Sequence, residues 1–402
     1  MILLIKFLKD IDVSDKRVIL RVDFNVPIEN GKITDTNKID EELETIDYLV
    51  EKKAKVIILS HFGRVKTEED KEKNSLKPVF EYIKSLDKYD ILFSAVPMGE
   101  MLDTMCKNLK PGQMVLVENT RFLDLNGDLE SSCDIQLSMY WASLADLYID
   151  DAFGSMHRNH ASITGIPKYL PSAAGLLVEK EVVNLRPLIE NPDRPFVVVM
   201  GGAKLDDKIN LIYSLIEIAD HILIGGGIAN TFLASAGYDV GSSLVSDASL
   251  KVASAIMKEF PDKLVLPKDV ITSPSYSEKT YELKKIDEIV IDDVIGDIGS
   301  KAIENYKRII STAKTIFING TVGMYESLPF SNGTQEILRI ISETEAKKIV
   351  GGGDAAAATA KFGYKDKMDF ISTGGGATLT YIANRTLPGL EALEASNEED
   401  IG

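Results

Sequence analysis

The sequence predicts an α/β protein made of two doubly wound parallel-sheet domains joined by a hinge helix. The chain has 402 residues, more than one ordinary core holds. Short apolar, β-branched runs alternate along its length with segments of helical periodicity, the pattern of βα units. In the second half these runs repeatedly end in glycines that lead into a helix.

In chain order, the first half offers strands at Val18 to Val26, Lys55 to Ser60, Ile91 to Val96, Met114 to Glu118 and Leu147 to Asp150. Leu43, Ile46, Leu49 and Val50 repeat at helical spacing between the first two. Tyr169-Leu170-Pro171-Ser172 then precedes a helical stretch, and Asn191-Pro192-Asp193-Arg194-Pro195 breaks it. This places a first domain over 1–170, a connecting helix over 171–190 and a second domain over 191–388.

The second half offers strands at Phe196 to Met200, His221 to Ile224, Lys263 to Leu266, Thr315 to Ile318, Lys348 to Val350 and Asp369 to Ile371. Glycine follows several of them, at Gly201-Gly202, Gly225-Gly226-Gly227, Gly351-Gly352-Gly353 and Gly374-Gly375-Gly376. A βα unit recurs here, without the fixed period of a solenoid.

Composition narrows the function. With 45% hydrophobic and 27% charged residues the chain is globular. A net charge of -17 argues against nucleic acid, because a phosphate backbone is held by massed Lys and Arg. Where so acidic a chain gathers basic residues, a small anion is the expected ligand. Cys106 and Cys133 have no disulfide or zinc-like spacing, which suits a reducing cytoplasm. The stretch Met1 to Leu8 is short for a signal peptide and is followed by Lys9 and Asp10, and no run is long enough for a bilayer. Neither membrane nor nucleic-acid partners are expected. Glu398-Glu399-Asp400 reads as a solvated acidic end.

Ligands of parallel α/β sheets lie beyond the carboxyl ends of the strands. There the first half carries Arg21, Asp23 and Asn25, then His61 and Arg64, then Asn119 and Arg121, then His157, Arg158 and His160. A single arginine after a strand is usually a structural ion pair. Its recurrence at four strand ends points to phosphate and carboxylate, which a guanidinium binds with two parallel hydrogen bonds. The histidines have no cysteine near them, and phosphate binding or structural support accounts for them as well as a metal would.

The second half offers glycine backbone instead. Glycine loops entering helices present N–H groups to nucleotide phosphates, although one pair alone would signify only a tight turn. Lys204 and Lys208 stand four apart at an expected helix start, on one face beside Gly201-Gly202. Asp354 opens the expected helix Ala355 to Lys361, as an N-cap or a Mg²⁺ ligand. No G-x-x-x-x-G-K-[ST] is present. Gly351 to Ala356 fits G-x-G-x-x-A, but Thr373 and glycines occupy the end of the next strand, where a dinucleotide site wants an acid.

Taken together, Arg21-Val22-Asp23-Phe24-Asn25-Val26-Pro27, Ser60-His61-Phe62-Gly63-Arg64, Glu118-Asn119-Thr120-Arg121-Phe122, Asp151-Ala152-Phe153-Gly154, Gly201-Gly202-Ala203-Lys204 and Ser372-Thr373-Gly374-Gly375-Gly376-Ala377 resemble the phosphoglycerate kinase family, in the family's order. Leu387-Pro388-Gly389 extends the resemblance nearly to the end of the chain. It implies two Rossmann-like domains, a tail 389–402 that returns to the first domain, and a monomer that bends at its hinge. The implied reaction is reversible phosphoryl transfer between 1,3-bisphosphoglycerate and MgADP, giving 3-phosphoglycerate and MgATP in glycolysis.

On that resemblance Asp23, Asn25, Lys38, His61, Arg64, Arg121 and Arg158 bind the phosphorylated acid. Gly202, Lys204, Lys208, Asn319, Glu326, Gly352, Gly353, Asp354 and Ala355 bind ADP or ATP, with Glu326 at the ribose and Asp354 at Mg²⁺. Lys38, Lys204 and Lys208 are the catalytic cations, and no protein base is required. The chain departs from the family at Lys38, where arginine is the rule, and at Val65, Asp150, Thr321 and Ala355. Lys38 keeps the charge but loses the planar fork, so a slow or non-catalytic paralogue that binds nucleotide or a partner is the alternative.

Overall fold

The computed structural model describes residues 5–29, 31–278 and 280–398. Most of the acidic end Glu398-Glu399-Asp400 lies outside them. The chain divides into two compact units, one running up to Val183 and resuming at Thr386, the other comprising Asn184–Arg385.

The first unit holds β1 (Arg17–Arg21), a small hairpin of β2 (Ile28–Glu29) and β3 (Lys32–Ile33), then β4 (Lys55–Leu59), β5 (Ile91–Ser94), β6 (Met114–Val117), β7 (Leu147–Asp150) and β8 (Ser172–Ala174). Its main sheet is ordered β5-β6-β4-β1-β7-β8 with every neighbouring pair parallel. Leu20 of β1 pairs with Ile58 on one side and Ile149 on the other. Such continuous apolar strands are what a sheet covered on both faces requires. After β1 the chain builds outward through β4 and then returns to the opposite side at β7. The carboxyl ends around β1 therefore form the switch point where a ligand crevice opens.

The second unit contains β9 (Phe196–Met200), β10 (His221–Ile224), β11 (Leu264–Val265), β12 (Asp269–Ser273), β13 (Glu282–Lys285), β14 (Val294–Ile298), β15 (Thr315–Asn319), β16 (Lys347–Val350) and β17 (Phe370–Ile371). A parallel sheet runs β11-β10-β9-β15-β16-β17, with its switch point between β9 and β15. Val197, Val199, Ile316 and Ile318 pack in its core with Ile337 and Ala358.

Three features differ from the sequence expectation. The strand expected over Val18 to Val26 ends at Arg21, because the N–H groups of Asp23, Phe24 and Asn25 turn to side chains: Glu42 Oε1 at 2.9 Å, Ser60 Oγ at 3.0 Å and Asp23 Oδ1 at 3.2 Å. Strand β8 is a Ser-Ala-Ala run without β-branched residues, held by pairing with β7. The antiparallel sheet β13-β12-β14 includes the polar strand Glu282–Lys285, which carries no hydrophobic alternation.

The helix Leu176–Glu190 crosses the division between the units. Pro187 lies within it and has no N–H to bond the carbonyl of Val183, the residue at which the units divide. The C-terminal helix Pro388–Glu398 belongs to the first unit, where Gly389 N donates to Met156 O at 2.9 Å. Among the described residues, no helix is long and apolar enough to cross a membrane.

Candidate active site

At the β1 switch point of the first unit, basic side chains surround one carboxylate. Lys38, in the first turn of the helix Asn37–Glu51, places Nζ 2.9 Å from Asp23 Oδ2. Burial pushes the Asp23 carboxyl up, but the Lys38 and Arg21 cations outweigh it and hold the group below the usual carboxylate range. His61 is itself buried, which pushes its imidazole well below the usual range, and Arg21, Arg158 and Arg121 reinforce that direction. It is therefore neutral, and Lys38 and Arg21 supply the field that keeps Asp23 ionised. Arg21 Nη2 stands 3.3 Å from His61 Nδ1, and Arg158 Nη1 stands 3.5 Å from Nε2.

Arg64, Arg121 and Arg158 are the open cations of this cluster. None forms an ion pair with a carboxylate among the described residues. Burial lowers Arg121 and Arg158, and Arg64 lowers each of them further. Arg121 Nε is buried without a hydrogen-bond partner, whereas Arg64 is exposed. Asp124 and Glu130 partly offset the charge of Arg121, and Asp23 that of Arg158, but none of the three guanidinium groups is in direct contact with a carboxylate among the described residues, so together they can receive an anion.

Other residues named from sequence are braces. Arg21 is wholly buried and donates to Ser162 Oγ at 2.8 Å and to the carbonyl of Val22. Asn119 Oδ1 accepts from the N–H groups of Phe62 and Arg121, each at 3.0 Å, and its Nδ2 donates to Asn74 O at 2.8 Å. Asn25 Oδ1 accepts from Gly63 N at 3.0 Å, leaving Nδ2 as the group that can meet a ligand. His160 is buried with its imidazole pushed down to about 3, first by burial and then by the arginines. His157 is lowered in the same way. His160 is enclosed and His157 half-buried, with Nε2 of His157 accepting from Arg158 Nε at 3.3 Å, so both fit a role in supporting the loop.

The second unit builds a different surface at the β9/β15 switch point. A Cβ on Gly201 would stand 1.9 Å from Thr321 O, so glycine is what lets these two strand ends close together. Lys208 Nζ donates to Gly201 O at 2.7 Å and to Asn319 Oδ1 at 2.6 Å, and Asn319 Nδ2 donates to Gly351 O at 2.6 Å. One lysine and one asparagine thus tie the loops after β9, β15 and β16. Burial pushes the Lys208 ammonium down to about 8 against the pull of Asp354 and Asp207.

The helix Gly353–Lys361 is capped by Gly352, whose φ of +101° suits glycine. Its first-turn N–H groups, including those of Gly353, Asp354 and the buried Ala355, form the amino end of the helix dipole. Asp354 and Glu326 are exposed. Among the described residues the Asp354 carboxylate has no hydrogen bond or ion pair, and one free carboxylate that phosphate oxygens could join is a donor set that fits Mg²⁺.

Two expectations are corrected here. The helix after Gly201-Gly202 begins at Ile209, beyond a short turn over Asp206–Lys208, so Lys204 and Lys208 do not share a helix face. Lys204 is exposed while Lys208 turns inward. Asp354 is not the N-cap, because Gly352 already terminates the helix and Asp354 lies inside the first turn.

Sequence reading missed Glu42, Glu130 and Ser162. Ser162 N donates to Glu130 Oε2 at 2.9 Å, and its hydroxyl joins that carboxylate to Arg21. The signal for Glu42 was its register. It lies with Ile39, Ile46 and Leu49 on the buried stripe of its helix.

The phosphoglycerate kinase family model matches residues 8–385. The chain is 44% identical over 390 residues to the phosphoglycerate kinase of Macrococcus caseolyticus, covering 96% of this chain and 98% of that protein. It is 45% identical over 391 residues to that of Enterococcus faecalis, with the same coverage. The solved phosphoglycerate kinase of Coxiella burnetii superposes with a TM-score of 0.88 at 35% identity, covering 97% of this chain and 98% of that one. That of Pyrococcus horikoshii gives 0.82 at 29% identity, covering 98% and 99%. With a match from Leu8 to Arg385 and relatives this close over nearly their whole length, the chain belongs to the phosphoglycerate kinase family.

Proposed function

We propose that the chain catalyses reversible phosphoryl transfer between 1,3-bisphosphoglycerate and MgADP, yielding 3-phosphoglycerate and MgATP in glycolysis. The observation that supports it best is the group of Arg64, Arg121 and Arg158, cations gathered in an acidic chain with no direct ion pair to a carboxylate among the described residues. Family membership supplies the reaction.

In this reading Arg64, Arg121, Arg158, His61 and Asn25 receive the phosphate and carboxylate of the acid, while Asp23 holds Lys38 at the site's edge. Gly202, Lys204, Lys208, Gly352, Gly353 and the backbone of Ala355 receive the nucleotide phosphates, with Asn319 bracing Lys208. Glu326 takes the ribose. Asp354 would hold Mg²⁺, which would supply neutralisation of the negative charge on the transferred group.

The attacking oxygen is ionised in both directions: an ADP phosphate one way, a carboxylate the other. The residues therefore need to align the reactants and neutralise spreading charge, without a general base. A neutral His61 fits, since it hydrogen-bonds rather than accepts a proton. Cytoplasmic location and a monomeric state complete the proposal, the former suited by the free Cys106 and Cys133. ATP formation from 1,3-bisphosphoglycerate and MgADP by the purified chain tests it, and an absence of turnover at any substrate concentration overturns it.

A further inference from the structure

Beneath the Asp23 loop, two buried carboxyl groups face each other with no cation bridging them. Glu42 and Asp151 are both fully buried. Each spends one oxygen on backbone: Glu42 Oε1 accepts from Asp23 N at 2.9 Å, and Asp151 Oδ1 accepts from Val178 N at 3.0 Å. Among the described residues Glu42 Oε2 and Asp151 Oδ2 are buried without a donor, the two carboxyls lie against each other, and the Thr45 hydroxyl also meets the Asp151 carboxyl. Two ionised carboxylates cannot share that contact in a dry interior, so one proton must lie between them.

The surroundings fix the pair in place. Thr45, one turn along from Glu42, accepts from Leu176 N at 3.1 Å through its hydroxyl. A Cβ on Gly175 would stand 2.3 Å from Asp151 Cγ, so glycine there leaves room for the acid. Asp151 N in turn donates to Arg21 O at 2.8 Å. One end of the pair therefore holds the loop that carries Asp23, and the other holds the first turn of the helix Leu176–Glu190.

We propose that Glu42 is a positioning residue of the anion site: through a proton shared with Asp151 it ties the Asp23 loop to the start of the helix Leu176–Glu190. The inference rests on the kinase reading of the same site. Glu42 touches no reacting atom and acts through Asp23, and hence through Lys38.

The direction of titration agrees. Burial, then Asp151, pushes Glu42 well above the usual carboxylate range, while burial raises Asp151 to about 6. At neutral pH Glu42 keeps its proton and donates it to an ionised Asp151. Deprotonation at alkaline pH leaves two carboxylates in contact and pushes the loop away. The other charged groups around the pair are Asp23 on the loop and Asp150 at the end of β7, with Arg21 behind Asp150 and with Lys38 and His61 on Asp23.

Glutamine at 42 can accept from Asp23 N and donate to Asp151 with no titratable proton, whereas leucine can do neither. The test measures kcat and both KM values for the native chain, Glu42→Gln and Glu42→Leu at neutral and at alkaline pH. The native KM for 1,3-bisphosphoglycerate is expected to rise at alkaline pH while that of Glu42→Gln stays flat. Glu42→Leu should raise this KM by about tenfold at pH 7 and leave the KM for ADP unchanged. If Glu42→Leu fails to fold, the Gln profile alone decides. An identical alkaline rise in native and Glu42→Gln overturns the inference, and so does a folded Leu variant with native KM. A native chain that makes no ATP overturns the kinase reading instead.

Discussion

Lys38 Nζ and Asp23 Oδ2 stand 2.9 Å apart, so the lysine is held beside the basic cluster by a carboxylate that its neighbours keep ionised. The side chain remains partly exposed and retains two N–H donors for a ligand. A pinned ammonium substitutes for much of what a guanidinium fork supplies. Lys38→Ala is expected to lower kcat by about 100-fold, the usual loss for one donor that acts on transition-state charge. Lys38→Arg should stay within about tenfold of the native rate. Stopped-time ATP formation checks both. Negligible native turnover rescued by Lys38→Arg would identify a degenerate paralogue.

Arg121 should matter for binding and cost nothing in stability. Its Nε is buried without a partner, and burial with the repulsion from Arg158 and Arg64 outweighs the attraction of Asp124 and Glu130. Removing it relieves both penalties in the free protein. Arg121→Ala is expected to raise the KM for 1,3-bisphosphoglycerate by about tenfold or more while the melting temperature holds or rises, because a charge-assisted contact to the ligand contributes roughly 1.5–3 kcal/mol. A variant that melts well below the native chain would mean that Arg121 has a structural partner instead.

Lys208 should make nucleotide affinity depend on pH. Its ammonium, lowered to about 8 by burial, is charged below that pH and neutral above it. An anionic phosphate favours the charged form, so binding weakens as pH rises through 8. Calorimetry with MgADP is expected to show an affinity about tenfold lower at pH 9.5 than at pH 7, since one lost charge contact costs about 1.4 kcal/mol. Lys208→Met should bind weakly at both values with little slope. An equal slope in the two proteins would assign the titration to another group.

Most of the fold was legible because strand and helix periodicities depend on local sequence, as at Val56 to Leu59 and Phe196 to Met200. Strand β8 and the antiparallel sheet were not, since Ser172–Ala174 and Glu282–Lys285 take their conformation from their neighbours. The site divides the same way. Arg64, Arg121 and Lys208 follow strands or glycines and could be named in advance. That Lys208 turns onto Asn319 while Lys204 stays outside depends on a turn over Asp206–Lys208 that no periodicity announces. The buried acids Glu42, Asp150 and Asp151 carry no local signature of their partners.

Asp150 provides a stability test of that buried network. Tyr148 Oη lies 2.7 Å from Ser162 O and 3.0 Å from Asp150 Oδ2. A hydroxyl has one proton and here faces two acceptors. The conflict disappears if Asp150 is protonated and donates to Tyr148, whose own proton goes to Ser162 O. Burial first, opposed by Arg21, raises the Asp150 carboxyl from 3.8 to about 7. The folded chain therefore keeps a proton that the unfolded chain loses between those values. The stability from this group is present below pH 4 and lost as pH rises through 7. Asparagine at 150 supplies the N–H donor permanently and still accepts from Ala152 N through Oδ1, a contact of 3.1 Å in the native chain. Asp150→Asn is expected to stabilise the protein by on the order of 2 kcal/mol at pH 8 and by little at pH 5, as read by urea unfolding at the two values. A gain of equal size at both would show that the substitution acts through packing. A loss at pH 8 would show that the ionised carboxylate, with Arg21 beside it, is the native form.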